Sequence, residues 1–264
     1  MNIYSFLQAV REKRLLVYHI INWVIIFECA QIVKSFGASP VMAHAPEEVA
    51  AMTSIASALV LNIGTLTREL VDSMKLSAAA ANRKAIPIVL DVCGAGATGF
   101  RDQMCAELLD AARIAVIKGN SSEIASVAGQ SASTRGVDAG HVNADLGEVA
   151  KGLAARRSCT VVVTGAEDIV AGGDRVYRIR NGHPTMANLV GTGCMAASVI
   201  GTFAGAVFEQ VGDVSIVGLA CFEIAAELAV KKSEGSGSFL QQLYDCVFRL
   251  DEKQIRAMQQ VTVA

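Results

Sequence analysis

The sequence predicts an α/β fold built on a mainly parallel sheet buried on both faces. Three observations carry that prediction. Short unbroken apolar runs recur along the chain, as at residues 58–63 (ALVLNI), 87–92 (PIVLDV) and 160–164 (TVVVT). Segments of helix length separate them. Of the 264 residues, 52% are hydrophobic and only 18% charged, against roughly 25% charge in ordinary globular domains. Strands covered on both faces read as continuous apolar runs, whereas half-exposed strands alternate. No repeat or linker divides the chain, so residues 1–264 read as a single domain.

The elements follow in order. Residues 15–27 (LLVYHIINWVIIF) are the longest near-apolar run, 13 residues that include His19 and Asn22. A membrane-spanning helix needs about 20 predominantly apolar residues. Arg11, Lys13 and Arg14 precede the run as in a signal peptide, but no small-residue cleavage site follows closely, and Glu28 and Lys34 continue an amphipathic pattern. The run reads as a buried segment. Pro46-Glu47-Glu48 opens a helix, because Pro and acids suit a first turn. Residues 58–63 form a strand, and Thr67 caps a helix reaching about Arg83. A strand at 87–92 precedes a helix at 101–112, and a strand at 114–118 precedes a short helix at 121–128. Residues 131–143 are polar and read as a loop. A helix at 145–157 leads to the strand at 160–164. Segments 168–170 and 176–179 flank Gly172-Gly173 as a hairpin. From Cys194 onward three helices are expected, to about Phe208, at 214–231 and at 239–250.

Composition also excludes functions. A net charge of −2 without a basic cluster argues against nucleic-acid binding, which needs grouped Lys and Arg. Charged tails and disorder are equally unsupported. The seven cysteines are odd in number and contain no CxxC pair. That disfavours a disulfide framework or a structural zinc site, and fits a reducing, cytoplasmic compartment.

In parallel sheets ligands bind beyond the carboxyl ends of the strands. Four such ends carry polar chemistry here: Asn62-Ile-Gly64-Thr65, Asp91 with Gly94-Ala-Gly96-Ala-Thr-Gly99, Lys118 with Asn120 and Glu123, and Thr164-Gly165. The GxGxxG segment suggests a dinucleotide site. However, the next strand ends in Lys118 where such a site expects a ribose-binding acid. A second glycine pair, Gly191-Thr192-Gly193-Cys194, opens a helix of small residues. It is either an anion cradle, made of free N–H groups and the helix dipole, or a tight turn into a closely packed helix. Asp91, Glu123 and Lys118 at the neighbouring strand ends favour phosphate. Two carboxylates can hold Mg²⁺ largely through water, and Lys118 can offset phosphate charge. Cys194, in the helix's first turn, is a candidate proton acceptor for a substrate alcohol. Met42 alone reads equally as a core residue, Asp91 as a helix cap and Glu123 as an ordinary first-turn acid. His183 lies near the glycine turn; His44 and His141 read as surface or loop residues.

Taken in order, GASPVM (37–42), LNIGTLT (61–67), GAGATGFR (94–101), IKGNSSEI (117–124), RGVD (135–138), VVTGAEDIV (162–170) and NGHPTM…GTGC (181–186, 191–194) resemble the hydroxyethylthiazole kinases of thiamine salvage. The resemblance covers nearly the whole chain. It implies a ribokinase-like three-layer α/β/α fold with a mainly parallel central sheet. It also implies ATP-dependent phosphorylation of the hydroxyl of 4-methyl-5-(2-hydroxyethyl)thiazole. On that resemblance Met42 and Gly191 bind the thiazole, Lys118 and Thr164 contact ATP, and Asp91 and Glu123 lie near Mg²⁺. Cys194 takes the place of the catalytic base, with Gly191 to Gly193 as the anion hole. A homotrimer with sites between subunits is implied as well. Several polar positions of the family pattern are Ile21, Ile25 and Phe27 here, and Lys118 stands where many members have Arg, keeping charge but losing a bidentate fork. These departures leave two further readings. One is a related kinase of another vitamin-precursor alcohol, of pyrimidine or pyridoxal type. The other is a thiazole-binding protein without turnover.

Overall fold

The computed structural model describes residues 3–130, 145–207 and 210–264. The polar segment 131–143, with the RGVD motif and His141, lies outside the described residues, as does Phe208.

The parallel strands are β1 (Leu16–Ile20), β2 (Ser39–Met42), β3 (Ala58–Asn62), β4 (Ile88–Asp91), β5 (Val116–Asn120) and β6 (Thr160–Thr164). The hairpin β7 (Asp168–Gly172) and β8 (Arg175–Ile179) follows β6 antiparallel, and β9 (Val261–Val263) closes that edge. Together they make one nine-stranded sheet in the order β2-β1-β3-β4-β5-β6-β7-β8-β9.

Helices cover both faces. The layer made by α1 (Ile3–Glu12), α2 (Ile26–Phe36), α8 (Thr192–Ala206), α9 (Val211–Val230) and α10 (Ser236–Arg249) packs on one side, with α11 (Glu252–Met258) beside it. The other layer is α3 (Val49–Ile55), α4 (Arg68–Lys84), α5 (Gly99–Ala111), α6 (Ser121–Val127) and α7 (Leu146–Arg157). This is the three-layer α/β/α arrangement.

Strand residues alternate between the layers. Val17, Val60, Val89, Val116 and Val162 face the first; Leu59, Leu61, Ile88, Leu90, Ile117 and Val163 face the second. The small-residue helix α8 needs the shallower, β-branched surface. A Cβ added at Gly201 would lie 2.4 Å from Val60 Cγ2, so α8 lies almost on the sheet.

The expected cap at Thr67 is present, and the structure adds one at Asp145. Thr67 caps α4 by accepting the Leu70 N–H at 3.2 Å, and Asp145 caps α7 by accepting the Gly147 N–H at 2.9 Å. The run 15–27 is a correction. It is not one buried segment, because Asn22 turns the chain out of β1 and caps a 3-10 turn (Trp23–Ile25) by accepting the Val24 N–H. Trp23, Val24 and Phe27 are 56%, 65% and 66% exposed. Helices α1 and α11 and strands β2 and β9 carried no signal that sequence patterning picked out.

Candidate active site

The row of valines beneath α8 ends two residues further along each strand in a polar row. Val60 gives way to Asn62, Val89 to Asp91, Val116 to Lys118 and Val162 to Thr164. Register sets Asn62 beside Asp91, and Asp91 beside Lys118. These side chains therefore share the face on which α8 packs, just where its first turn begins. Gly191 starts that helix with φ +89°. A Cβ there would come within 2.4 Å of Ile25, so both backbone and space demand glycine.

Asn62 organises the centre. Its amide donates to Asp91 Oδ2 at 2.6 Å and to Cys194 Sγ at 3.2 Å. Its Oδ1 accepts from Asn22 Nδ2 at 2.9 Å and from the Gly64 N–H at 2.8 Å. Asn22 Nδ2 also reaches the Cys194 sulfur, at 3.6 Å. Lys118 Nζ donates to Asp91 Oδ1 at 3.2 Å, with both side chains buried. Burial works against the charge on Lys118, but Asp91, Cys194 and Glu123 around it outweigh that and hold its pKa above the ordinary lysine value. Complete burial raises the Asp91 carboxyl, and Lys118 pulls the other way. A Cβ at Gly193 would sit 3.1 Å from Lys118 Nζ, which places the ammonium against the first turn of α8.

Glu123 is held from both sides. Its Oε1 accepts the Gly94 N–H and its Oε2 the Asn120 N–H, each at 2.7 Å. The second bond completes a capping box at α6. Burial raises its pKa, and Lys118 lowers it. The first bond also decides the GxGxxG question. Gly94 spends its N–H on Glu123, and Gly96 donates to Asp102 at 2.6 Å, so that loop is closed on itself. The open helix terminus at the sheet is that of α8.

Two cavities meet here. One, of about 280 Å³, is lined by Asp91, Cys93, Lys118, Glu123, Gly191 and Cys194, with Asn22, Val24, Ile25 and Val190 at its other wall. The second, of about 650 Å³, extends over the ends of β6 and β7 between the 180–187 segment and α9. Asn120, Thr164 and Gly193 line both. His183 lines the larger cavity. A still larger cavity, of about 830 Å³, lies at the opposite end of β5 and β6, beside Ala115 and Thr160, away from the polar row.

Seven of the eight residues singled out from sequence thus converge on one cavity. Met42 is placed elsewhere, on the edge strand β2 beside His19, packed against the α2 and α8 layer. Ile25 lines the cavity; Ile21 is buried and Phe27 exposed. Three features escaped the sequence reading. Arg101 clamps the site loops by donating to Ile63 O, Gly64 O and Cys93 O. Cys93 shares the cavity with Cys194. Asp168 and Glu223 form a buried carboxyl pair in the larger cavity. Glu223 is raised well above the usual carboxylate range by burial and by the Asp168 charge, and Asp168 also accepts the Gly165 N–H at 2.9 Å. Glu223 lies mid-helix in α9, where only the fold brings it to β7.

Among the described residues no group of three or more His, Cys, Asp or Glu is placed to cage a metal. Every oxygen of Asp91 and Glu123 already accepts a hydrogen bond. That donor set suits a hydrated Mg²⁺, which keeps several waters and takes its other ligands from phosphates.

A mainly parallel sheet with an open helix terminus over a Lys–carboxylate row defines a small-molecule kinase of the ribokinase-like class. Pyridoxal kinase from Staphylococcus aureus shares the fold, with a TM-score of 0.60 over 95% of this chain and 98% of that one at 14% identity. Within that class, the chain belongs to the hydroxyethylthiazole kinase family, which matches residues 7–253. It is 54% identical over 252 residues to a hydroxyethylthiazole kinase of Methanosarcina acetivorans, covering 96% of each chain. The structure of a hydroxyethylthiazole kinase from Pyrococcus horikoshii superposes with a TM-score of 0.91 at 36% identity, covering 99% of this chain and 98% of the other.

Proposed function

We propose that this chain transfers the terminal phosphoryl group of ATP to the side-chain hydroxyl of 4-methyl-5-(2-hydroxyethyl)thiazole. The observation that carries the reading is the meeting of the two cavities at Asn120, Thr164 and Gly193, beneath the amino terminus of α8. The smaller takes the alcohol and the larger the nucleotide, so the migrating group crosses at the helix terminus. Catalysis of phosphoryl transfer is chiefly positioning and charge stabilisation. Gly191 and Gly193 leave backbone N–H groups free for the equatorial oxygens, and Lys118 adds charge below them. Thr164 orients the nucleotide phosphates. Cys194, its sulfur fixed by Asn62 and Asn22, accepts the hydroxyl proton. Mg²⁺, held through water by Asp91 and Glu123, would supply further charge neutralisation.

One sheet draws strands from Leu16 to Val263, which supports reading the whole chain as one catalytic domain. We also read the assembly as a cytoplasmic homotrimer with sites at subunit interfaces. Val24 and Val190, 65% and 70% exposed, form the cavity mouth beside exposed Trp23 and Phe27. Met42 lies on the unpaired edge of β2. Apolar surface at a site mouth is the kind a second subunit covers. Light scattering at micromolar concentration is expected to give three times the chain mass; a monomer would overturn this.

The test of activity is ADP release from Mg-ATP with a panel of alcohols. The thiazole alcohol is expected to give the highest kcat/KM. Preference for a pyridoxal or pyrimidine alcohol would trace to Ile25, which lines the cavity. Thiazole binding by calorimetry without ADP release would leave a binding protein instead.

A further inference from the structure

Cys93 follows β4 two residues after Asp91, and Cys194 sits in the first turn of α8. Both thiols line the 280 Å³ cavity and both are partly exposed. No other cysteine shares that position. Cys29, Cys105, Cys221 and Cys246 are buried, and Cys159 lines the cavity at the far end of the sheet. The Cys93 thiol is hydrogen-bonded to Cys194. Arg101 holds the Cys93 carbonyl at 3.2 Å, and the amides of Asn62 and Asn22 hold the Cys194 sulfur.

We propose that Cys93 and Cys194 form a dithiol modification site, at which a peroxide converts the pair to a disulfide that blocks the alcohol cavity. In the first step the Cys194 sulfur attacks one peroxide oxygen. An S–O bond forms, the O–O bond breaks, and the departing oxygen leaves as water with the thiol proton. Sulfur is oxidised to the sulfenic acid and peroxide is reduced. In the second step the Cys93 sulfur attacks the Cys194 sulfur. An S–S bond forms, the S–O bond breaks, and the hydroxyl leaves as water with the Cys93 proton. The link consumes the proton acceptor and ties β4 to α8 across the cavity. A thiol reductant restores both groups. The effect on turnover rests on the kinase reading; the disulfide itself does not.

The full chain, reduced and then treated with hydrogen peroxide, is alkylated and mapped without reduction by mass spectrometry. The expected result is a peptide linking Cys93 to Cys194, with loss of thiazole-dependent ADP release that dithiothreitol reverses. Both thiols free, Cys194 recovered only as sulfinic acid, or a Cys29–Cys194 link would overturn the proposal. In Cys93→Ser and Cys93→Val, each compared with its own reduced activity, oxidation of Cys194 is expected to run on to sulfinic acid and become irreversible. Full recovery with dithiothreitol in both variants would also overturn it. Peptide mapping reads the link even if ADP release is absent, so failure of the kinase reading is distinguishable.

Discussion

Cys194 derives its position from residues on three different strands' ends and one helix. The Asn62 amide divides its two N–H groups between Asp91 and the Cys194 sulfur, so one side chain orients both the carboxylate and the proposed proton acceptor. Asn22 in turn fixes Asn62. In Cys194→Ala the proposed anion cradle at α8 and the Lys118 charge remain while the proposed proton acceptor is lost. Turnover is expected to fall by roughly 10²-fold, the lower range for general acid–base catalysis, with little change in KM for ATP. Steady-state ADP release checks this, and unchanged turnover eliminates Cys194 as the base. The strand-end rule reaches Asn62, Asp91, Lys118 and Thr164 from sequence because register follows from parallel pairing. It does not reach Cys93 or Glu223, since nothing local distinguishes a functional cysteine from a small buried one, or a mid-helix Glu from a surface one.

At the scale of elements, α8 decides the site. Its small residues allow it to lie on the valines of β1, β3, β4 and β5, and that closeness brings its first turn down to Lys118. Gly201 tests the contact. Alanine at an exposed helix position would gain about 1 kcal/mol over glycine. Here the added Cβ meets Val60 at 2.4 Å, and a β-branched side chain in a strand yields little. Overpacking costs about 1–3 kcal/mol and wins. Gly201→Ala is expected to lower the melting temperature, and adding Val60→Ala is expected to recover part of the loss. A melting temperature equal to or above wild type would show that α8 has room to move. Helix α4 was legible from sequence because its Thr67 cap is a local hydrogen bond. The run 15–27 was not, because its apolar residues serve three purposes: β1 in the core, Ile25 at the cavity wall, and Trp23, Val24 and Phe27 on the surface.

For the whole molecule, the low charge content has a stability consequence. Strands covered on both faces leave His19 wholly buried in β1, with Nδ1–H donating to Val17 O at 3.0 Å. Burial pushes its pKa down to about 4. The unfolded chain protonates the same group near 6.5, so between these values the unfolded state binds more protons and stability falls as pH falls. The contribution is about 3 kcal/mol, present above pH 6.5 and lost by about pH 4. The raised carboxyls of Asp91, Asp168 and Glu223 act in the opposite sense, so the term must be isolated. Denaturant unfolding of wild type and His19→Leu at neutral pH and at about pH 4 should show the wild type losing about 3 kcal/mol more; parallel losses would contradict the assignment. By itself the sequence determined the class of fold, the order of the parallel strands' polar ends and the family, because apolar runs, caps and motif spacing are local or linear properties. Only the tertiary structure decided which glycine segment stays open to an anion, that Cys93 meets Cys194, and that Asp168 meets Glu223. Each of those depends on residues far apart in the chain, brought together by α8 and α9 packing on the sheet.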